Sequence, residues 1–317
     1  MTKGQQSLWP ILIFVIVIGM ITGFSIIGYS QKRVPDVHFE ATPEDVVEAM
    51  LKMAGVTKED VVYDLGCGDG RFVITAAKKI GARGVGVDID PVRIKESKEN
   101  AQKGGVADRV KFIEGDLFKT DISGATVVTL YLLNELNMQL RPKLLRELKP
   151  GTRIVSHAFD MGDWEPDEIG QLRGRMFYYW VIPANIAGTW HWSLGSPTGQ
   201  WPNQLFLDQE FQEVSGKVSL QGWELRIREP RLKGDQLRFR LRYNFEGEDV
   251  AMRFTGRVND DTIKGGVEIQ GGPWSGTREW TAKRIKKVQF RHKGKDLRKA
   301  VGRDVIRWGE RTNGIKC

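Results

Sequence analysis

Three glycines stand within five positions in the stretch VVYDLGCGDGRFVITAA, residues 61–77, where an apolar run gives way to a helix-like pattern. A strand that ends in a glycine turn and opens a helix brings free backbone amides and the positive end of the helix dipole close to a ligand. Gly66, Gly68 and Gly70 therefore predict a binding loop. Their spacing is G-x-G-x-G, with Arg71 in place of the third glycine of the dinucleotide fingerprint, and the Lys-Ser/Thr pair of a phosphate loop is missing. The loop favours neither a dinucleotide nor a nucleoside triphosphate.

Three carboxylates mark the ends of three consecutive predicted strands. Asp64 ends the first strand, Asp88 ends the second, and Asp116 follows the third. A carboxylate at Asp64 repels a pyrophosphate and attracts an ammonium group, whereas Asp88 is placed to accept both hydroxyls of a ribose. Asp116 is expected near the exocyclic amine of an adenine. The three carboxylates suit a ligand with a positive amino acid end, a ribose and an adenine, and S-adenosylmethionine fits that description.

Alternating strands and helices must hold these residues. The pattern predicts strands at 61–64, 84–88, 110–114, 126–131 and 153–157, with helices from 71, over 91–104 and over 136–148. Ahead of the first strand, ATPEDVVEAMLKMAG predicts a further helix with Thr42 as its N-cap and Pro43 at its first position. Strands that alternate with helices of this length indicate a parallel α/β sheet.

The motifs DLGCGDG, VGVDID and EGDLF together resemble the nucleoside-binding motifs of class I S-adenosylmethionine-dependent methyltransferases, over residues 39–167. The resemblance implies a doubly wound, seven-stranded, Rossmann-like domain. It implies that the loop 64–70 cradles the methionine part of the cofactor, and Thr42 is placed to close over that end. The ribose and adenine would be held by the residues after the second and third strands, namely Asp88, Ile89, Asp116 and Leu117, with Asp90 behind them.

A narrower resemblance rests on ATPEDVVEAMLKMAGV and on YLLNELNMQLRPKLLRELKPGTRIVSHAFDMGDWEPD. These stretches are similar to the membrane-tethered protein-lysine methyltransferases whose mitochondrial members modify the ATP synthase c subunit and the adenine nucleotide translocase. The resemblance implies a lysine amine as methyl acceptor. Because a lysine has a pKa near ~10.4, the site must desolvate the amine or remove its proton.

Residues after the fourth and fifth strands are the candidates for contact with that amine. Tyr131 offers an aromatic wall and a hydroxyl, Asn134 a carbonyl oxygen and Glu135 a carboxylate. His157 and Asp160 are the other possible proton acceptors. Methyl transfer from a sulfonium mainly requires positioning and exclusion of water, so neither a catalytic triad nor a metal is expected.

Past residue 171 the pattern changes to strict alternation of apolar and polar residues, with turns at 233–235, 246–249 and 259–261. This period of two predicts an antiparallel β domain, either a small barrel or a sandwich. One face carries the apolar residues Trp223, Leu225, Ile227, Leu237, Phe239, Leu241 and Tyr243. The opposite face carries Arg226, Arg228, Arg238, Arg240 and Arg242, which form a solvated outer face or meet an acidic partner or lipid headgroups.

Residues 8–29 contain no charge and are long enough, as a helix, to cross a bilayer, so they predict a single uncleaved membrane anchor. The net charge of +8 is concentrated at the other end of the chain, where residues 283–317 hold 13 Lys and Arg against 3 Asp and Glu. This basic tail suits anionic lipid or nucleic acid, and a solvated extension without a partner is the alternative. Because the cofactor is cytosolic, we expect an inner-membrane protein whose catalytic domain faces the cytoplasm.

The sequence thus predicts an anchor at 1–33, a methyltransferase domain at 34–170, an antiparallel β domain at 171–285 and a basic tail at 286–317. A protein lysine near the membrane is the favoured acceptor. A membrane-soluble small molecule such as a quinone or lipid is the alternative acceptor, and a tethered binding module with a vestigial site is a third possibility. Nucleic acid is disfavoured, because the segment after the fourth strand lacks the Asn/Asp-Pro-Pro-aromatic signature of many nucleic-acid amino methyltransferases.

Overall fold

The computed structural model describes residues 39–288, apart from 194, 197, 198, 201, 202, 221 and 222. The membrane anchor predicted at 8–29 and almost all of the predicted basic tail lie outside these residues. Among the helices in the described part of the chain, none is long and apolar enough to span a bilayer.

Four helices surround the first sheet. They are α1 (Glu44–Met53), α2 (Arg71–Thr75, continued by a π-helical turn over Ala76–Ile80), α3 (Pro91–Lys103) and α4 (Asn134–Glu147). The prediction that Thr42 caps α1 was wrong. Pro43 takes the cap position without any side-chain cap, and the Thr42 hydroxyl hydrogen-bonds to His157 instead. The cap position shifted by one residue because Pro43 keeps an extended ψ of 145°, which places the first helical residue at Glu44.

Seven strands form the first sheet, in the order β3-β2-β1-β4-β5-β7-β6. They are β1 (Val61–Leu65), β2 (Arg83–Asp88), β3 (Val110–Glu114), β4 (Val127–Leu130), β5 (Arg153–His157), β6 (Glu168–Leu172) and β7 (Arg175–Val181). Strands β1 to β5 pair in parallel. The chain order reverses direction across the sheet between β1 and β4, which creates a crevice at their carboxyl ends where ligands bind in such sheets. The predicted parallel α/β sheet is confirmed.

The two faces of this sheet bury separate apolar clusters. Val127 of β4 packs with Val46 and Met50 of α1, whereas its neighbour Val128 packs with Leu140 and other residues of α4. Successive residues of a strand point to opposite faces, so helices cover both sides of the sheet.

The sheet extends further along the chain than the sequence indicates. The domain boundary predicted between residues 170 and 171 falls inside β6, and β7 pairs antiparallel with both β5 and β6. The β6–β7 turn is a two-residue hairpin in which Arg173 and Gly174 both have positive φ. A tight antiparallel hairpin has the same period of two as the following β domain, so alternation alone does not separate them.

Nine strands form the second, antiparallel sheet, in the order β13-β12-β11-β8-β18-β17-β16-β15-β14. They are β8 (Gly188–Ser193), β11 (Asn203–Glu210), β12 (Glu213–Leu220), β13 (Trp223–Arg226), β14 (Arg228–Lys233), β15 (Gln236–Phe245), β16 (Glu248–Asn259), β17 (Thr262–Gln270) and β18 (Gly276–Lys287). Two short strands, β9 (Gly195–Ser196) and β10 (Gly199–Gln200), pair only with each other.

The second sheet closes on itself to form a barrel. Its two outermost strands, β13 and β14, are separated in sequence only by Ile227, whose amide donates to the Gly216 carbonyl of β12. Leu237, Phe239 and Leu241 are buried inside as predicted, and the arginines of the same strands point outward. Trp223 is the exception, because it lies on the short strand β13 and is 74% exposed.

The turn between β11 and β12 docks the barrel against the first sheet. The Phe211 ring stacks on Trp164 with centroids 5.5 Å apart, and the Arg141 guanidinium lies 5.1 Å from the Phe211 ring centre. The Trp164 indole N–H donates to Gln212 Oε1 at 2.8 Å. Trp164 belongs to the WEP stretch that carries the family resemblance, and its contact is with the barrel.

Candidate active site

The glycine loop follows β1 directly and is shaped by left-handed backbone. Gly66, Gly68 and Gly70 have φ of 85°, 51° and 83°, a region in which a side chain is strained. The Gly66 and Cys67 amides donate to the Val87 carbonyl at 2.8 and 3.0 Å. The Gly68 amide donates to Asp88 Oδ2 at 2.8 Å. The expectation that these amides are free for a ligand was wrong, because neighbouring backbone and Asp88 already bind them.

The carboxyl ends of β3, β2 and β1 lie side by side, which brings Asp116, Asp88 and Asp64 to one edge of the sheet. Asp88 accepts the Gly68 amide on Oδ2 and the Asp90 amide on Oδ1, so its orientation is fixed while each oxygen keeps a further lone pair. Asp116 Oδ1 accepts the Phe118 amide at 2.9 Å. Ile89 and Leu117, next to these acids, are partly buried.

Asp64 is the most deeply buried of the three acids, 2% exposed, and accepts the Thr129 hydroxyl at 2.6 Å. Burial, together with the charges of the neighbouring Asp88 and Asp69, raises the pKa of Asp64 to about 8 against the opposing hydrogen bond from Thr129. Without a cation beside it, Asp64 is therefore mostly protonated at neutral pH. Cys67 is also buried, and burial raises the pKa of its thiol, so it serves packing.

A short segment ahead of α1, residues 39–42, lies across the loop. A Cβ added to Gly68 would stand 2.0 Å from the Phe39 ring, so the ring packs directly on the loop backbone. The Arg93 guanidinium lies 4.8 Å from the centre of the same ring. Arg71 donates to the Thr42 carbonyl at 2.5 Å and through its Nε to Asp69 Oδ1 at 2.9 Å. The residue that replaces the third glycine thus fastens this segment, which we term the strap, to the loop.

Tyr131 and His157 meet at the ends of β4 and β5, next to β1 in the sheet. Their ring centroids are 4.1 Å apart, and His157 Nδ1 is 3.1 Å from the Thr42 hydroxyl. Burial lowers the pKa of His157 and the nearby Arg175 lowers it further, so the imidazole is neutral at pH 7. Burial raises the pKa of Tyr131, as do the charge of Glu40 and the hydrogen bond to its carboxylate. Glu40 of the strap therefore joins the predicted pair.

Asn134 and Glu135 are placed less centrally. Both are exposed in the first turn of α4, where Asn134 Nδ2 donates to Asp160 Oδ1 at 3.2 Å. Within the described residues Glu135 forms no hydrogen bond or ion pair, and its position suits the positive end of the helix dipole. The buried Asn137 side-chain amide instead joins α4 to β5, through Ser156 Oγ, and to the segment after β5, through the carbonyls of Phe159 and Asp160.

Phe39, Glu40 and Arg71 are site residues that the sequence pattern did not assign. Arg71 had a signal, since it replaces a glycine in the fingerprint. Phe39 and Glu40 precede α1 and carry no periodic pattern, so only the folded arrangement brings them to the site.

The residues fit a cofactor that has an ammonium group, a ribose and an adenine but no phosphate. The loop amides are used internally, which disfavours a phosphate, and acids stand at three strand ends. Among the residues that the structure describes, no group of three or more His, Cys, Asp or Glu is placed to hold a metal ion.

Residues 64–168 match the family described as ANTKMT methyltransferase domain. A protein-lysine N-methyltransferase of Saccharolobus islandicus is 52% identical over 152 residues, which cover 46% of this chain and 94% of the relative. The human lysine N-methyltransferase of the ATP synthase c subunit is 35% identical over 123 residues, 39% of this chain and only 52% of the relative. The chain thus spans nearly all of the archaeal relative and about half of the human one.

A solved structure with marked sequence similarity is that of an RNA methyltransferase from Salinibacter ruber in complex with S-adenosyl-L-homocysteine. It is 56% identical, covers 46% of this chain and 96% of that chain, and has a TM-score of 0.46.

The raised pKa of Asp64 predicts that the ligand-free protein loses stability as pH rises. Below pH 4 the group is protonated in both the folded and unfolded states, whereas between about 4 and 8 only the folded state keeps the proton. The free energy of unfolding should therefore fall across this range, by up to about 1.4 kcal/mol per pH unit. Urea unfolding at pH 5, 6, 7 and 8 measures the slope, and Asp64→Asn should flatten it. An unchanged slope in Asp64→Asn would contradict the assignment.

The close approach of Phe39 predicts a specific cost for Gly68→Ala. Gly105 is the matched control, because it also has positive φ, 68° against 51°, but nothing lies within 4 Å of a Cβ added there. Gly105→Ala should cost about 1 to 2 kcal/mol from the backbone alone. Gly68→Ala should cost more and weaken cofactor binding at least tenfold in calorimetric titration, because the strap is displaced. Equal effects of the two substitutions would show that the strap does not depend on Gly68.

Proposed function

Because the chain belongs to the family of S-adenosylmethionine-dependent protein-lysine N-methyltransferases, we propose that it methylates a lysine amine of a protein in or near a membrane. The observation that carries the proposal is the grouping of Glu40, Tyr131 and His157 beside the glycine loop. We propose further that residues 8–29 anchor the chain in the inner membrane, that the catalytic domain faces the cytoplasm, and that the basic tail at 286–317 contacts anionic lipid.

S-adenosylmethionine, the cofactor of this enzyme, would supply a methyl group bonded to a sulfonium. The leaving group is then a neutral thioether, which needs no acid catalysis. Asp64, Asp88 and Asp116 are the residues that would hold its ammonium, ribose and adenine. An ammonium beside Asp64 favours the ionised carboxylate, so binding below pH 8 is accompanied by release of a proton.

The acceptor side has to bind an ammonium and yield a neutral amine. At pH 7 about one lysine amine in a few thousand is neutral. The Glu40 carboxylate attracts the lysine ammonium into the site, and the Tyr131 ring forms an apolar wall that lowers its hydration. His157 is neutral, and its Nδ1 is engaged by Thr42, which fixes the plane of the ring. A neutral imidazole does not repel the incoming ammonium, and the imidazolium that forms when it accepts the lysine proton is stabilised by the Glu40 carboxylate.

The strap forms one wall of this arrangement. Phe39 packs on the loop at Gly68, and Thr42 is held between Arg71 and His157. Glu40 is exposed on this strap, so its carboxylate is accessible to an incoming ammonium.

Glu40→Gln tests the acceptor side directly. Loss of the carboxylate charge should lower kcat/KM for the protein substrate by roughly tenfold to hundredfold at pH 7 and leave the cofactor Kd unchanged. Glu59→Gln is the control, because Glu59 is exposed next to Lys58 in the turn ahead of β1. A kcat/KM for Glu40→Gln within twofold of the unsubstituted enzyme would remove Glu40 from the mechanism.

Transfer of label decides the class of acceptor. Membranes from a strain that lacks this protein are incubated with the purified full chain and S-adenosylmethionine labelled in the methyl group. We expect label in protein, recovered as methyl-lysine after acid hydrolysis, and its loss with Asp88→Ala. Label confined to the lipid extract would refute a lysine acceptor and favour a quinone or lipid. The absence of label with a chain that still binds the cofactor would favour a tethered binding module.

A further inference from the structure

One outer face of the barrel is strongly cationic. Strands β14, β15, β16 and β17 point a set of long basic side chains outward, which we term the arginine face: Arg228, Arg231, Arg238, Arg240, Arg242, Arg253, Arg257 and Lys264. Their alternate neighbours along the strands, such as Leu237, Phe239 and Phe254, are buried in the barrel.

The strand register sets like charges directly opposite one another. Arg228 pairs with Arg240 and Arg231 with Arg238 between β14 and β15. Arg240 then faces Arg253, and Arg257 faces Lys264, on the next two strand pairs. Like charges in directly opposed positions destabilise a sheet. Four such pairs on one face therefore lower the stability of the sheet, and an anionic partner would offset that loss.

Only part of this charge is neutralised within the barrel. Ion pairs join Arg240 to Glu229 at 2.8 Å, Arg253 to Glu268 at 3.1 Å and Arg257 to Asp235 at 2.7 Å. The other five cations of the face form no ion pair within the described residues. They are Arg228, Arg231, Arg238, Arg242 and Lys264, and all are exposed.

The face also contains a concavity of the size of a phosphate group. Its volume is about 60 Å³, and its lining includes Arg240, Arg242, Arg253 and Glu268. Guanidinium groups match phosphate oxygens in geometry and bind them in pairs. Glu268 is engaged by Arg253, which leaves Arg242 as the unpaired cation of the concavity.

The chain outside the described residues indicates which anion lies within reach. If residues 8–29 span the membrane, as the proposed function holds, nine residues separate that span from Phe39. Nine extended residues reach about 30 Å at most, which keeps Phe39, and the methyltransferase domain to which the barrel is joined, close to the end of the span.

We propose that the arginine face docks on the anionic surface of the bilayer, with lipid phosphates bound between its arginines. The inference rests on the proposed membrane anchor. Docking fixes the orientation of the catalytic domain relative to the membrane, an effect that a flexible anchor alone does not supply. It weakens with salt, because the interacting groups are exposed.

A probe on the face tests this in the full chain. Cys317→Ser removes the terminal thiol, Cys67 is buried, and Thr255→Cys introduces a labelling site opposite Arg238 at the centre of the face. Ser215→Cys, exposed on β12, is the control site. Each protein carries an environment-sensitive dye and is reconstituted into nanodiscs that contain a quenching lipid. The discs are either purely phosphatidylcholine or contain about 30% phosphatidylglycerol, enough to give an anionic surface.

We expect quenching at position 255, and not at 215, in the anionic discs only. The variant with Arg238→Gln, Arg242→Gln and Lys264→Gln should lower the docking constant roughly hundredfold, at about fivefold per cation. The matched control with Lys98→Gln, Lys103→Gln and Lys111→Gln, on the methyltransferase domain, should dock normally. Equal quenching in both lipids, or no change in the first triple variant, would overturn the proposal.

Two further arms identify the source of the anion. Inorganic phosphate that abolishes quenching at constant ionic strength would show a site for a free anion and overturn bilayer docking. A short single-stranded RNA that shifts the dye at 255 in phosphatidylcholine discs would overturn it in favour of nucleic acid. Resistance of the chain to alkaline carbonate extraction reports the anchor separately. An extractable chain whose face still quenches in anionic discs would contradict the anchor and keep the docking surface.

Discussion

Arg71 links the two halves of the active site. Its guanidinium bonds Asp69 in the glycine loop and the Thr42 carbonyl in the strap, and the hydrogen bond to Asp69 raises its pKa, so the charge is permanent. Two further contacts hold the same segment, because Phe39 packs on Gly68 and the Thr42 hydroxyl hydrogen-bonds to His157. Arg71 stands where the dinucleotide fingerprint has its third glycine. The same residue forms the hydrogen bonds that join the strap to the glycine loop.

The loop disfavours an anionic ligand, because its amides are bonded within the protein and acids lie near it. Loop amides that bind a carbonyl and a carboxylate of the protein offer little to a phosphate, and three nearby acids repel one. Asp88 and Asp69 lie close enough to Asp64 for their charges to raise its pKa. Protonation of buried Asp64 relieves that repulsion in the free protein, and under the proposed function a bound ammonium would relieve it in the complex.

Much of this was predictable from the sequence where the signal is local and periodic. The strands that end in Asp64, Asp88 and His157, the helix after Asp90 and the hairpins of the barrel follow from apolar spacing and turn residues, and the structure reproduces them within one or two residues. The failures are of another kind. Thr42 has the chemistry of an N-cap, but a partner 115 residues away engages its hydroxyl. The loop amides were expected to be free, but Val87 and Asp88 of the neighbouring strand accept their hydrogen bonds. The glycine motif alone contains no information about that strand. Glu135 is exposed in the first turn of α4, and its role as a proton acceptor stays a prediction.

The barrel contacts the segment that follows β5, which begins next to His157 of the candidate site. Arg141 of α4 donates to the Met161 carbonyl at 2.7 Å and also contacts the ring of Phe211, so one side chain joins the segment after β5 to the tip of the barrel. That segment begins at His157 and includes Asp160, whose carbonyl binds Asn137. The Phe211 turn, with a φ of 52° in a non-glycine residue, is held in a costly conformation that its burial against Trp164 compensates. Because the Phe211 turn of the barrel packs against Trp164, in the segment that follows His157, a partner that orients the barrel would also orient the residues proposed to receive the lysine.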